Sequence, residues 1–381
     1  MKKIRLLSML VSLVLLLNFV FGFNVFATGN DFPSDTIDIT DDRFTGYAYE
    51  KYTYPITPKN NPEIWREFVS HTEMLEACEI PNDILKVLTT RQLLLTCLDY
   101  PLMGDALCYS DSSVGFEVVS AHHNGLDNLF KRSDISFELS RLYSTLSSND
   151  VNDTDKMFSI SLITDHAISK DLIDERDAEI ISAKCDELLR DVNVGMVYNW
   201  ILGVSQTLSS YNVTPTSADF TITTVYTKKG SAVTGYVYKS DLTAAEIAYC
   251  DNYTNSTYPN ATRISGATRY YNCHSYAWYS SNYSSNHVWI DNPTAYRTDG
   301  SHTCYGIIGD GYPYPSGAVH GNKAYYSNST TTLENDHSAI IYNSTTYTSK
   351  WGRCALLRHA QAYCPYYFGS SSTSIYIYEC Y

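Results

Sequence analysis

The sequence predicts an α+β protein in which an all-helical domain precedes a domain built on an antiparallel sheet. Apolar residues recur at helical spacing up to about residue 208, and after Tyr211 the composition changes abruptly to Thr, Ser, Tyr and Asn. Beyond that change, alternating β-branched runs are separated by turn residues, which is typical of antiparallel strands. We therefore expect a helical domain over 62–210, a β-hairpin connector over 211–240 and a second domain over 241–381.

The first residues have the pattern of a secretory signal peptide. Basic residues near the start precede an apolar run from Leu6 to Phe23, and small residues lead to Ala27. We expect cleavage after Ala27, so that residues 1–27 form the signal peptide. Residues 28–61 are polar and aperiodic, which predicts a linker. A retained membrane anchor is the alternative, although polar and small residues interrupt the apolar run.

The mature chain is expected to be secreted and acidic. Loss of the three basic residues of the signal peptide lowers the formal net charge from −14 to −17, which argues against nucleic acid as a partner. No later run reaches the length of a membrane span, so we expect no stable membrane insertion after cleavage. All ten cysteines lie beyond residue 27. Secretion permits disulfides, but their pairing cannot be read from the sequence.

Local signals place several short helices in the first domain. Ser70 with Glu73, and Thr89 with Gln92, have the residue types and spacing of a capping box, and apolar residues follow each pair. Asn124-Gly125 has the composition of a helix stop. One helical stripe then advances in steps of three and four residues, which predicts a longer helix through Ala178, Ile181, Cys185, Leu188 and Val192.

Histidines and cysteines of the helical domain favour structural interpretations. His122 and His123 are adjacent and would diverge by about 100° on a helix. No second His or Cys cluster stands at ligand spacing, so we expect no metal. Four cysteines have apolar neighbours at helical spacing, which favours buried thiols, with two disulfides or a metal cage as alternatives: Cys78, Cys97, Cys108 and Cys185.

The second half of the chain predicts antiparallel strands. Residues 219–226 and 232–238 alternate about the turn Lys228-Lys229-Gly230, which indicates a hairpin. A short helix is expected over 241–247 and a loop over 252–265. Four later strands are expected at 321–326, 337–342, 347–352 and 374–378. The strands at 337–342 and 347–352 are expected to be antiparallel neighbours.

The residues that most suggest chemistry lie in the stretch Asn272-Cys273-His274-Ser275-Tyr276-Ala277-Trp278. Cys273 stands directly before a predicted short helix, whose N-terminus favours the thiolate and so lowers the pKa of a cysteine. His337 follows 64 residues later at the start of a predicted strand. Such a pair meets only when a helix packs on an antiparallel sheet, as in papain-like enzymes. The competing interpretation of Cys273 is a buried thiol or half of a disulfide.

The segment from about 258 to 365 resembles a known group of enzymes. Its Asn-Cys-His-Ser-Tyr-Ala-Trp core and its later His-Ser-Ala-Ile-Ile look like those of minimal cell-wall papain-like hydrolases, the NlpC-type endopeptidases and CHAP amidases. The segment looks still more like secreted bacterial proteins of uncharacterised function that carry the same core. The resemblance implies a papain-like (NlpC-type) cysteine hydrolase domain over 241–381.

The resemblance also implies residue roles. Cys273 takes the position of the nucleophile and His337 that of the general base, while the backbone amide of Cys273 helps to hold the oxyanion. In the family, a polar residue one strand later orients the imidazole. Ser349, twelve residues after His337, has that position here, with Asn343 and His359 as rivals.

The reaction that these roles imply is acyl transfer to water. Thiolate Cys273 attacks an amide carbonyl, protonated His337 delivers a proton to the leaving amine, and water hydrolyses the thioester. The expected substrate is a peptide or a peptidoglycan-like molecule, and no metal or organic cofactor is needed. A catalytically inactive extracellular binding or adhesion protein on the same fold is the alternative, and an acyltransferase that uses the same thiol is a third hypothesis.

Three further expectations concern the surroundings of this pair. His274 is expected to be structural or to face the substrate, since its side chain points elsewhere on the helix. Trp278 and Trp351 are expected in the core, with the walls of a cleft as the alternative. The helical domain, which stands between the signal and the catalytic segment, is expected to be a pro-like or substrate-positioning module.

Overall fold

The computed structural model describes residues 51–109, 111–191, 195–209, 219–308, 320–328 and 336–380. These residues lie in one compact unit. The protein belongs to the α+β class, as the sequence predicts, because short helices come first and an antiparallel sheet follows. The expected signal peptide and residues 28–50 of the expected linker lie outside the described residues.

Helices occupy the first part of the chain. In order they are α1 Pro62–Trp65, α2 His71–Ala77, α3 Asn82–Val87, α4 Thr90–Leu98, α5 Ser112–Ala121, α6 Asn124–Leu129, α7 Ile135–Thr145, α8 Thr154–Ser169, α9 Glu175–Asp191 and α10 Met196–Ser209. Short 3₁₀ turns lie at Met103–Cys108 and Asp150–Asn152. Both predicted capping boxes are present and explain why α2 and α4 begin where they do.

The expected helix stop at Asn124-Gly125 is wrong, because α6 begins there. The ring of His123 caps this helix by accepting a hydrogen bond from the N–H of Leu126 at 3.2 Å. The side chain of Asn124 accepts from the N–H of Ile80 at 3.1 Å and donates to its carbonyl at 2.8 Å. Contacts with a distant segment therefore turn a local stop signal into a helix start.

The longer helix predicted from the apolar stripe is confirmed as α9. Ile181, Cys185 and Leu188 are buried and Ala178 is half-buried. Val192, the last member of the stripe, lies outside the described residues.

The predicted hairpin is confirmed. Strand β1 (Phe220–Tyr226) pairs antiparallel with β2 (Ala232–Tyr238). Gly230 in the connecting turn has φ +86°, a conformation that glycine adopts without steric cost.

The main sheet follows the hairpin. Within the described ranges its order is β3-β8-β7-β6-β5-β9-β4, and every paired neighbour is antiparallel. The strands are β3 Thr262–Ser265, β4 His302–Ile308, β5 Lys323–Asn328, β6 His337–Ile341, β7 Thr346–Lys350, β8 Leu356–Ala360 and β9 Thr373–Cys380. The four later strands that the sequence predicts are therefore confirmed as β5, β6, β7 and β9.

The expected loop over 252–265 is wrong. Helix α11 runs from Ala244 to Thr257, well beyond the short helix that was expected, and β3 occupies the end of the range. A capping box at Thr243–Glu246 starts the helix. Its length follows from burial of Cys250, Thr254 and Thr257 against the rest of the protein. Helix α12 (Thr294–Thr298) and strands β4 and β8 were not anticipated.

A buried polar cluster joins the helical residues to the sheet-bearing part. Asp105 Oδ1 accepts hydrogen bonds from the hydroxyls of Tyr253 and Tyr258, each at 2.7 Å. His71 Nε2 lies 3.0 Å from Asp105 Oδ2, and His71 Nδ1 lies 3.0 Å from the carbonyl of Tyr367. A buried carboxylate is tolerated when it is hydrogen-bonded in this way, so the cluster holds the 3₁₀ turn Met103–Cys108 in place.

None of the helices in the described ranges combines the length and apolar character that a membrane span requires.

Candidate active site around Cys273

Cys273 begins a short helical segment, as the sequence predicts, and residues 275–279 of that segment form a π-helical turn. Asn272 caps it, because its Oδ1 accepts from the N–H of Ser275 at 3.0 Å. The same side chain bonds both backbone groups of Ile290, the N–H at 3.2 Å and the carbonyl at 2.7 Å. Asn272 therefore defines where the helical segment starts and fixes it against the segment around Ile290.

The helical segment packs on one face of strand β6. Trp278 Nε1 donates to Ser338 Oγ at 2.7 Å, and His274 Nδ1 lies 2.8 Å from the same oxygen. Burial, and then Arg297, lowers the pKa of His274 to about 3. His274 is thus a structural residue that joins the helix to the sheet.

His337 opens β6 but points to the other face, since neighbouring residues in a strand point in opposite directions. Its ring stacks on Tyr366 with centroids 3.7 Å apart and meets Tyr326 edge-on at 5.4 Å. Within the described part of the chain, neither ring nitrogen has a hydrogen-bond partner. Burial, followed by the nearby His359 and His274, lowers the pKa of His337 well below its usual value. The structure thus does not join the Cys273 thiol to the His337 imidazole by a hydrogen bond.

The Cys273 thiol is free and only 5% exposed. Burial raises the pKa of this thiol to about 12, while the backbone N–H groups of Ser338 and His274 act in the opposite sense. The expected lowering of the Cys273 pKa is therefore wrong for this conformation. Desolvation of the thiolate outweighs the helix N-terminus and the amide donors.

The thiol lines a small, partly open cavity of about 30 Å³, which we call the thiol cavity. That volume has room for only a few water molecules, so a peptide does not fit. Residues of the helical part, Cys108 and Tyr109, line it together with Gly352, Trp289 and Tyr366 from the second half. The helical part therefore helps to close the site.

Tyr366 is the side chain that the thiol cavity and His337 share. It lines the cavity, stacks on the imidazole and donates its hydroxyl to the carbonyl of Cys108. Tyr109 packs against the Tyr366 ring at 5.0 Å and donates its own hydroxyl to the carbonyl of Pro365 at 3.0 Å. Sequence reasoning missed Tyr366, because no local signal separates it from the many other tyrosines.

Ser349 is not hydrogen-bonded to His337. Its Oγ accepts from Trp351 Nε1 at 3.0 Å and donates to His359 Nε2 at 2.7 Å. His359 Nδ1 donates to the carbonyl of Ala360 at 2.8 Å. These bonds orient His359 instead, and burial lowers the pKa of His359 to about 4.

The other candidates near the pair have structural settings. Asn343 is exposed in the turn between β6 and β7, where its Oδ1 accepts from the N–H of Thr345. Trp278 and Trp351 are buried in the core. In the helical part, His123 is a helix cap and His122 stacks on Phe368 at 3.8 Å. No group of three or more His, Cys, Asp or Glu side chains suited to a metal occurs among the described residues.

Comparisons of the chain with protein-family models, with curated proteins and with solved structures found no match. The resemblance to papain-like hydrolases therefore rests on the sequence motifs alone and stays a prediction.

Proposed function

We propose that the protein is a secreted cysteine hydrolase that cleaves an amide bond, with Cys273 as nucleophile and His337 as general base. One observation carries the proposal: Cys273 begins a capped helical segment that packs on the antiparallel strand opening at His337. A helix packed on an antiparallel sheet is the setting in which a thiol and an imidazole from distant parts of a chain can meet. The backbone N–H groups of Ser338 and His274 stand ready to stabilise the thiolate.

In the described conformation the site has no room for a substrate. The thiol cavity is too small for a peptide, and Tyr366 covers the imidazole. Turnover requires Tyr366 to leave its stacked position and the His337 side chain to turn toward Cys273, so that the imidazole can take the thiol proton. The thiolate then attacks the amide carbonyl, the imidazolium protonates the leaving amine, and water releases the acyl group.

The proposal includes the architecture that the sequence motifs imply. Residues 241–381 form a papain-like domain, and residues 62–210 act as a pro-like module. Contact of Cys108 and Tyr109 with the thiol cavity supports that role for the helical part. The substrate class is a peptide or a peptidoglycan-like molecule, and the protein acts outside the cell after loss of residues 1–27.

Release of amino groups from purified cross-linked peptidoglycan tests the hydrolase. We expect the secreted chain to release new amino groups, measured with an amine-reactive dye, and Cys273→Ser to release none. Cys185→Ser is the matched control, because Cys185 is also a buried free thiol and lies in α9. Equal release by the Cys273→Ser variant would contradict the role of the thiol.

A second candidate is an inactive extracellular binding protein on the same fold. It is favoured by the small thiol cavity and by the lack of a hydrogen bond to His337 within the described residues. It predicts that the wild type and Cys273→Ser sediment equally with the same peptidoglycan while neither releases amino groups.

A further inference from the structure

Three cysteines from distant parts of the chain meet beside the candidate active site, and we call them the thiol cluster. Cys108 ends a 3₁₀ turn, Cys250 lies in α11 and Cys354 follows β7. Each is a buried free thiol in this structure. The side chain of Cys354 interacts with those of both Cys108 and Cys250.

The chain around Cys354 lies directly against the chain around Cys108. Gly352, two residues before Cys354, has φ +47°, and a Cβ placed there would come 2.3 Å from the carbonyl of Cys108. Only glycine permits so close an approach. A disulfide requires Cα atoms roughly 4.4–6.8 Å apart, and we infer Cys108 as the partner of Cys354 because the main chains of these two segments touch at Gly352.

A buried lysine holds the turn that carries Cys354. Lys350 Nζ donates to the carbonyls of Gly352 at 2.7 Å and of Cys354 at 2.5 Å, and also to that of Thr268 at 2.8 Å. With three carbonyl acceptors the ammonium is fully hydrogen-bonded. The turn that carries Cys354 is therefore held in place by hydrogen bonds without a covalent bond.

We propose that Cys108 and Cys354 form a disulfide that fastens the helical part to the sheet beside the thiol cavity. The oxidant is a small-molecule disulfide such as oxidised glutathione. One protein thiolate attacks it and releases one small thiol, and the second protein thiolate attacks the mixed disulfide and releases another. Two electrons and two protons pass from the protein thiols to the small thiols, and Cys250 keeps its proton.

The bond forms while the chain folds. In the folded protein, burial raises the pKa of both Cys108 and Cys354, and buried protonated thiols react slowly. Once formed, the bond closes a long loop and so restricts the unfolded chain. Because Cys108 also accepts the Tyr366 hydroxyl, the bond steadies one wall of the thiol cavity. The inference does not depend on the proposed hydrolase activity.

Peptide mapping of the wild-type secreted chain, residues 28–381, tests the bond directly. The chain is refolded with a mixture of reduced and oxidised glutathione, blocked with N-ethylmaleimide in denaturant, and digested without reduction. We expect mass spectrometry to find one peptide pair that joins Cys108 to Cys354, with Cys250 blocked. Blocked Cys354, or Cys354 joined to any other cysteine, would overturn the proposal.

A second measurement tests whether the bond fastens the fold. Thermal midpoints are compared for protein refolded with the glutathione mixture and with excess dithiothreitol. We expect the oxidised form to be several degrees more stable in the wild type and in the control Cys185→Ser, and the difference to vanish in Cys108→Ser. An unchanged difference in Cys108→Ser would refute the fastening role.

Discussion

Replacement of Tyr366 by Ala is expected to expose the Cys273 thiol. The Tyr366 ring lines the thiol cavity of about 30 Å³ and stacks on His337 at 3.7 Å. Burial raises the pKa of Cys273 from an ordinary 9.0 to about 12. Removal of the ring admits water to the sulfur, which returns the pKa toward its ordinary value because the thiolate is solvated again.

The size of the effect follows from that shift. Three pKa units change the thiolate fraction at pH 7.5 by about 1000-fold. A less basic thiolate is a weaker nucleophile, and a Brønsted slope of about 0.4–0.5 removes about 15- to 30-fold of the gain. We therefore expect iodoacetamide to label Cys273 about 30- to 60-fold faster in Tyr366→Ala than in the wild type.

Labelling is followed by mass spectrometry of the Cys273 peptide between pH 6 and pH 10. The wild-type rate is expected to rise tenfold for each pH unit over this range, and the rate of Tyr366→Ala to level off near pH 9. Tyr143→Ala, which removes a buried tyrosine from α7, is the control for general loosening. Tyr366→Phe keeps the ring and loses only the bond to the carbonyl of Cys108, so its rate stays near that of the wild type. A natively folded Tyr366→Ala with the wild-type rate and pH profile would refute the reasoning.

Three further predictions concern stability, measured as the free energy of unfolding in urea. Asp105→Ala leaves the buried donors of His71 and Tyr258 and the half-buried hydroxyl of Tyr253 without an acceptor, and is expected to cost about 3–5 kcal/mol. The control Asp127→Ala, which removes an exposed ion pair, is expected to cost less than about 1 kcal/mol. Equal losses would contradict the importance of the polar cluster. Gly352→Ala is expected to cost more than Gly230→Ala, because both have positive φ but only Gly352 has a main-chain carbonyl where the Cβ would lie; the reverse order would show that the two segments separate easily. Burial raises the pKa of Asp165 to about 7, so the folded state keeps a proton that the unfolded state loses near pH 4, and stability falls as the pH rises from 4 to 7. Asp165→Asn is therefore expected to add about 4 kcal/mol at pH 8, because each of the roughly three pKa units is worth about 1.4 kcal/mol, and less than about 1 kcal/mol at pH 4. A gain of the same size at both pH values would exclude this titration.

Local sequence signals predicted the elements whose causes are local. The capping boxes that begin α2 and α4 depend on side chains three residues apart, and the β1–β2 hairpin depends on its own alternation and on the turn at Gly230. Interactions of this kind act within a few residues, so the printed order of amino acids is enough to recognise them. The start of the helical segment at Cys273 belongs to the same class, because Asn272 immediately precedes it.

Contacts between distant segments explain the helix bounds that local signals predicted wrongly. Asn124-Gly125 suits a helix end as well as a start, and hydrogen bonds to Ile80, 44 residues earlier in the chain, select the start. Helix α11 is longer than predicted, because one side of it is buried by segments that the local sequence does not reveal.

The same distinction between local and distant causes applies to the candidate site. The sequence by itself determined that Cys273 opens a helical segment and that His337 opens a strand, because caps and strand alternation are local properties. Only the tertiary structure decided the state of these two side chains. In the folded protein the thiol is buried, the His337 side chain points to the face opposite Ser338, and the Tyr366 ring stacks on the imidazole. Solvation governs the pKa of a thiol, and solvation depends on every segment that packs around it, including that of Cys108, 165 residues earlier in the chain.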